Sequence, residues 1–265
     1  MLKSSARRVV YTYWVNASNL DIPIYLKMCL KTWQKNIPEL EIIVINHSNV
    51  LEFVGDDLDM NNFLKLSLAQ QSDVVSVATL YKRGGVFMDI DTILTGDVSE
   101  LIFKQQGSRL SVFGYPKEKA IHLAVMWCHE TGNELLGEWY AQICEKLKST
   151  PEVIPWDYVG NSIVNELLKS EYYSNKYEII DRTLSGNIME SVFDDDSNAH
   201  NAYLIFWFGE EVTEPEEILS KAVCNIISLH NSWTPERYKT LTLGELIGTN
   251  VTLSKFFCHI LKSND

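Results

Sequence analysis

The sequence predicts an α/β protein, a sheet layered against helices, and three observations predict it. The chain opens strand, helix, strand: "RRVVYTYWV" (7–15) is rich in Val, Tyr and Trp, residues 24–35 place apolar side chains at helical intervals, and "EIIVIN" (41–46) is a short unbroken apolar run. Unbroken runs of that length suit strands covered on both faces, as in parallel sheets. A second helix–strand pair occupies 72–91, with two glycines where the period changes. At 265 residues and 46% hydrophobic content the chain is long enough to bury a full core as one large domain or two small ones.

Each element has a local reason. In the first helix Ile24, Met28, Leu30 and Trp33 fall near one face, and Asn36 to Pro38 end it. "SDVVSVATLYKR" (72–83) sets Val74, Val77, Ala78 and Tyr81 at i, i+3, i+4 and i+7, with Ser72 as the expected N-cap. Gly84 and Gly85 stop that helix, because glycine takes the left-handed conformation at a helix C-terminus at little cost. "VFMDID" (86–91) then reads as a strand. Further strands are expected near 110–114, 122–128, 176–181, 202–208 and 226–229, and helices near 134–148 and 160–169. "DDDSN" (194–198) reads as an exposed acidic loop, and the last thirty residues read as helical, giving a domain over 1–235 with a helical extension over 236–265.

A net charge of −12 excludes a protein that coats nucleic acid, which needs a basic face. No apolar run approaches the roughly 20 residues of a membrane helix. The opening "MLKSSARRVVYTYW" has no long apolar stretch with a cleavage-like site after it. Cys29, Cys128, Cys144, Cys224 and Cys258 are odd in number and lack close pairing, so they read as reduced thiols of a cytoplasmic protein. "SKFFCHILK" (254–262), apolar with a lysine near each end, suggests peripheral contact with the inner membrane face as an alternative to a helix docked on the core.

"GGVFMDIDTILTG" (84–96) carries the chemistry. In a strand, residues i and i+2 share a face, so Asp89 and Asp91 are expected to project together while Val86, Met88 and Ile90 turn inward. Two carboxylates so placed repel each other unless a cation or water intervenes, and Mg²⁺ or Mn²⁺ accepts a few carboxylates while bridging a substrate phosphate.

The longer stretch "QSDVVSVATLYKRGGVFMDIDTILTG" (71–96) runs Ser-Asp, helix, Leu-Tyr, Gly-Gly, aromatic, Asp-x-Asp. It resembles the donor-site segment of DXD glycosyltransferases, and most of all the capsular-polysaccharide-synthesis sugar transferases. Related patterns occur in yeast initiating mannosyltransferases and clostridial glucosylating toxins. "VVYTYWVNAS" (9–18) is similar to the first strand of that family, and "SLHNSWTPERY" (228–238) to its late His, Ser-Trp strand end.

The resemblance implies a GT-A type fold, a Rossmann-like mixed sheet flanked by helices in a single domain. It implies a metal-dependent hexosyltransferase using Mn²⁺ or Mg²⁺ and a UDP-linked sugar, UDP-glucose or UDP-galactose. Transfer would go with retention to a saccharide or lipid-linked glycan in bacterial surface polysaccharide or glycoconjugate synthesis. By the same resemblance Asp91 ligates the metal and Asp89 holds the ribose and the metal's water shell. Asp73 contacts the donor sugar's hydroxyls, Trp14 stacks on the base beside the Tyr13 backbone, His230 completes the metal or pyrophosphate contacts, and Ser232 and Trp233 hold the diphosphate. "PWDYVGN" (155–161), aromatic with a carboxylate and an amide, suits acceptor recognition or a helix cap.

Two positions depart from the family pattern: Ser76 stands where an arginine is usual, and Phe87 where tyrosine is common. Ser76 removes a bidentate partner for sugar or phosphate and motivates a second reading, a non-catalytic nucleotide-sugar binder. A third reading starts from "DIDTILTG" (89–96), which resembles the first motif of haloacid-dehalogenase-type phosphatases, with "VFDDDSN" (192–198) as a late acidic loop.

Overall fold

The computed structural model describes residues 8–16, 21–37, 39–103, 107–182, 198–222 and 224–262. The acidic stretch 194–197 lies outside them. The fold is α/β, with a six-stranded mixed sheet flanked by helices. Contacts divide the chain into two compact units: 1–15, 40–89 and 100–181 form one, and 16–39, 90–99 and 182–265 the other.

The first unit holds β1 (Arg8–Tyr13), β2 (Leu40–Ile45), β3 (Gly85–Met88), β5 (Leu110–Tyr115), β6 (Ala120–Cys128) and β7 (Tyr177–Asp181). Their order across the sheet is β2-β1-β3-β6-β5-β7. β1 runs parallel to β2 and β3, β6 runs antiparallel to β3 and β5, and β7 is parallel to β5. Its helices include α2 (Val50–Val54), α3 (Met60–Phe63), α4 (Leu68–Arg83), α6 (Glu134–Leu147) and α7 (Asn161–Lys169). Val74, Val77 and Ala78 of α4 pack with Phe87 of β3, Met126 of β6 and Leu136 and Trp139 of α6 in one core.

The helix ahead of the glycines begins earlier than its sequence suggests. Ser67, not Ser72, is the N-cap: its hydroxyl accepts from the Gln70 N–H, and the Gln70 side chain accepts from the Ser67 N–H, a reciprocal capping box. The residues between, Leu68 to Gln71, bring Gln70 and Gln71 into the interior, which the apolar periodicity alone does not reveal. At the far end Gly84 has φ +67°, and a β-carbon there would lie 2.8 Å from the His129 carbonyl oxygen. Glycine is required both by conformation and by that approach.

In the second unit, α1 (Ile24–Asn36) lies beside β4 (Thr92–Leu94), which pairs antiparallel with β8 (Ile226–Ser228). Trp33 Nε1 donates to the Thr92 carbonyl at 2.7 Å, and Thr32 Oγ1 accepts from the Leu94 N–H at 2.9 Å. The expected strand at 202–208 is instead a helix, α8 (Ala199–Phe208). "AYLIFWF" is apolar throughout and carries no period, so a short run of that kind reads equally as strand or buried helix. Residues 254–262 lie within a helix, Thr252–Lys262, whose Leu253, Phe256, Phe257 and Ile260 are buried. The apolar face that suggested membrane contact is turned into the protein. Among the described residues, no helix is long and apolar enough to cross a membrane.

Candidate active site

Asp89 and Asp91 do not share a strand. β3 ends at Met88, Asp89 follows it, and Ile90 and Asp91 form a turn before β4. The expected alternation fails as well: Val86, Phe87 and Met88 are all buried, as in a strand covered on both faces. Asp89 belongs to the first unit and Asp91 to the second, so each is described in its own surroundings.

In the first unit, β1 and β3 are adjacent and parallel, with Tyr11 opposite Phe87. Trp14, one residue beyond β1, and Asp89, one beyond β3, therefore emerge at the same C-terminal edge, where ligands gather in open α/β sheets. Trp14 is partly exposed rather than core, and its backbone N–H donates to Ile45 O at 2.9 Å. The Tyr13 ring is buried, and its hydroxyl donates to Gln71 Oε1 at 2.6 Å, so what Tyr13 offers a ligand is its backbone. His47 Nε2 lies 2.9 Å from the same Gln71 oxygen.

Ser72, released from capping, donates its hydroxyl to Asp89 Oδ1 at 3.1 Å. Asp73 lies in the second turn of α4, too far in to serve the helix N-terminus. It packs instead on Gly160, where a β-carbon would fall 2.7 Å from Asp73 Oδ2. Burial pushes the Asp73 carboxyl up from 3.8 to about 7. Ser76, in the seat of the family's arginine, is 1% exposed and donates to the Asp73 carbonyl at 2.9 Å.

In the second unit, the β4–β8 ladder continues past its strands: Leu229 N–H donates to Asp91 O at 3.0 Å, and Asn231 N–H to Asp91 Oδ2 at 2.7 Å. This sets Asp91 beside the segment "HNSW". Asp91 is only 9% exposed, and burial raises its carboxyl to about 6, opposed by the Asn231 N–H and its own. Tyr25 donates its hydroxyl to Asn231 Oδ1, holding the residue that holds Asp91. The His230 ring is partly buried and lies 4.3 Å from the Trp233 ring, centroid to centroid. Burial, with the Arg182 charge, lowers its pKa to about 4, so at neutral pH it is the uncharged imidazole that ligates metals. Trp233 also meets the rings of Tyr203 and His200, while Ser232 is exposed.

Sequence reasoning missed Asn231, Tyr25 and Gly160 as parts of these settings. Asn231 sits inside the quoted "HNSW", but its working group is a backbone N–H, which no residue type announces. Among the described residues, no three His, Cys, Asp or Glu side chains converge as a ready metal site. The residues still fit a hard cation, because Asp91 is a buried carboxylate with no cationic partner among the described residues. Mg²⁺-type sites commonly use one or two carboxylates, with the rest from water and substrate phosphate. In another Asp-x-Asp, Asp57-Leu58-Asp59, the acids have other work: Asp57 pairs with Lys82 at 2.8 Å and Asp59 caps α3.

A protein-family model described as a glycosyltransferase sugar-binding region containing a DXD motif matches residues 23–108. The matched span runs from α1 past β4 and includes Asp73, Asp89 and Asp91. No curated protein matches the sequence. Among solved structures, the apo-form glycosyltransferase GlyE of Streptococcus pneumoniae TIGR4 is 12% identical, with 97% of this chain and 64% of that one covered and a TM-score of 0.46. The PaToxG glycosyltransferase is 14% identical over 96% of this chain and 86% of its own, with a TM-score of 0.47. Mouse xyloside xylosyltransferase 1, apo form, is 9% identical over 86% of this chain and 99% of its own, with a TM-score of 0.46. The chain thus spans 64% of the length of GlyE.

Proposed function

We propose that this chain is a GT-A type, metal-dependent glycosyltransferase that moves a hexose from a UDP-linked donor to a glycan acceptor. The observation that carries the reading is the setting of Asp91. A carboxylate held by the Asn231 N–H and buried with no cationic partner among the described residues is costly to keep unless a cation completes it. The match of residues 23–108 to a DXD sugar-binding region supports the same reading.

In this account Asp91 and His230 would hold Mn²⁺ or Mg²⁺, which would supply positive charge for the departing diphosphate. Trp14 stacks on the uracil at the sheet edge. Asp73 accepts hydrogen bonds from the donor sugar, and Ser72 orients Asp89 toward the ribose. Ser232 and Trp233 donate to diphosphate oxygens, whose charge grows as the glycosidic bond breaks. Resemblance favours retention, by front-face attack in which the departing diphosphate takes the acceptor proton. UDP-glucose and UDP-galactose are the donors proposed, with a bacterial surface polysaccharide or glycoconjugate as product. The phosphatase reading is weaker, because β3 has four residues and follows two earlier strands, whereas that motif ends a longer strand near the start of its domain.

The test is UDP release from UDP-glucose and UDP-galactose with Mn²⁺ present or chelated. Wild type should turn over only with the metal. Asp91→Asn should lose that activity, since a neutral amide is a poor ligand for a hard cation. Full metal-dependent turnover by Asp91→Asn overturns the reading, and metal-dependent UDP binding without turnover supports the non-catalytic binder instead.

A further inference from the structure

We infer that Trp156 is the platform on which the acceptor saccharide stacks, an inference that rests on the glycosyltransferase reading. The loop 149–160 joins α6 to α7 within the first unit, and its backbone is anchored from three directions. Gln70, in the first turn of α4, donates from Nε2 to the carbonyls of Pro155 and Trp156 at 2.6 and 3.2 Å. Trp139 Nε1 donates to Val159 O at 3.0 Å, and Lys146 Nζ to Tyr158 O at 2.7 Å. Gly160 closes the loop against the Asp73 carboxylate.

Yet this held loop leaves Trp156 67% exposed. Of the seven tryptophans, Trp33, Trp127, Trp139 and Trp207 are fully buried, and Trp14 and Trp233 partly so. An indole kept in water on an anchored backbone is presented in a fixed place, where a flat ligand face can cover it.

Its surroundings choose the ligand class. Glu152 and Asp157 flank Trp156 in the exposed loop, so an anionic membrane or nucleic acid would be repelled. A sugar ring suits the place: its C–H face lies on the indole, and its hydroxyls donate to carboxylates.

The experiment presents immobilised maltose, lactose, cellobiose and α-mannobiose to the wild type, Trp156→Ala and Trp156→Phe, with urea unfolding to confirm that each is folded. Wild type should bind at least one disaccharide, Trp156→Ala should lose about tenfold or more in affinity, or about 1.4 kcal/mol, and Trp156→Phe should retain most of it. Saccharide binding that is equal in Trp156→Ala, or absent from the wild type, overturns the platform. Donor hydrolysis by wild type alongside either of those results leaves the glycosyltransferase reading standing and removes only the platform. Trp156-dependent binding by a protein that hydrolyses no UDP-sugar keeps the platform and removes the glycosyltransferase reading.

Discussion

Asp73→Asn should make the protein more stable and less active, and the pH dependence should identify the cause. The Asp73 carboxyl packs against the Gly160 backbone, and burial raises its pKa from 3.8 to about 7. A carboxyl whose folded pKa lies above its unfolded value binds more protons in the folded state between the two. Its contribution is therefore best below about pH 4, falls as pH rises toward 7, and is flat beyond. One pKa unit is worth about 1.4 kcal/mol, so the rise sets an upper bound of about 4 kcal/mol on the cost of the ionised group at pH 8.

Asparagine has nearly the same shape and never ionises. Urea unfolding at half-unit steps from pH 4.5 to 8.5 should show the variant gaining on the wild type through pH 5 to 7, then levelling. UDP-sugar hydrolysis should fall at the same time, because an amide is a weaker acceptor for sugar hydroxyls. A stability difference that does not change with pH refutes the burial argument. Unchanged hydrolysis refutes the role at the donor sugar.

Three further outcomes are expected. Trp14→Ala should weaken UDP binding by about 1–3 kcal/mol, roughly ten- to a hundredfold by calorimetry, with little loss of stability for a partly exposed residue. Ser67→Ala should cost about 1 kcal/mol by urea unfolding, because it removes one half of the capping box on α4, and Ser72→Ala should leave helix stability nearly unchanged. Gly84→Ala should cost well over the ~1–2 kcal/mol of the left-handed conformation alone, since its β-carbon would meet the His129 carbonyl at 2.8 Å. Gly132→Ala, at φ +77° with open space around it, is the control that isolates the conformational part.

What the sequence made legible was whatever rests on local periodicity. The β1-α1-β2 opening, the glycine stop after α4 and the strands at 110–115 and 120–128 all follow from patterns that need no distant partner. The run "AYLIFWF" had no such pattern, because a helix buried on most sides needs no polar face, and its secondary structure was decided by packing. The start of α4 was hidden for a related reason. Gln70 and Gln71 look like surface residues, yet one braces the loop at Pro155 and the other receives Tyr13 and His47. Polar residues with buried work break the apolar stripe by which a helix start is read.

The same reasoning explains the acid pair. An i, i+2 spacing implies a shared face only where both residues are in one strand. Here β3 ends at Met88 because Asp89 to Asp91 must turn the chain out of one sheet and into the β4–β8 ladder. That turn gives the carboxylates different settings. Asp89 meets a hydroxyl from α4, while Asp91 is sunk against a backbone N–H supplied 140 residues later in the chain. A sequence motif fixes which residue types are available, but long-range pairing fixes how strongly each is desolvated. Desolvation is what lifts the Asp91 carboxyl to about 6, above the ordinary carboxylate range.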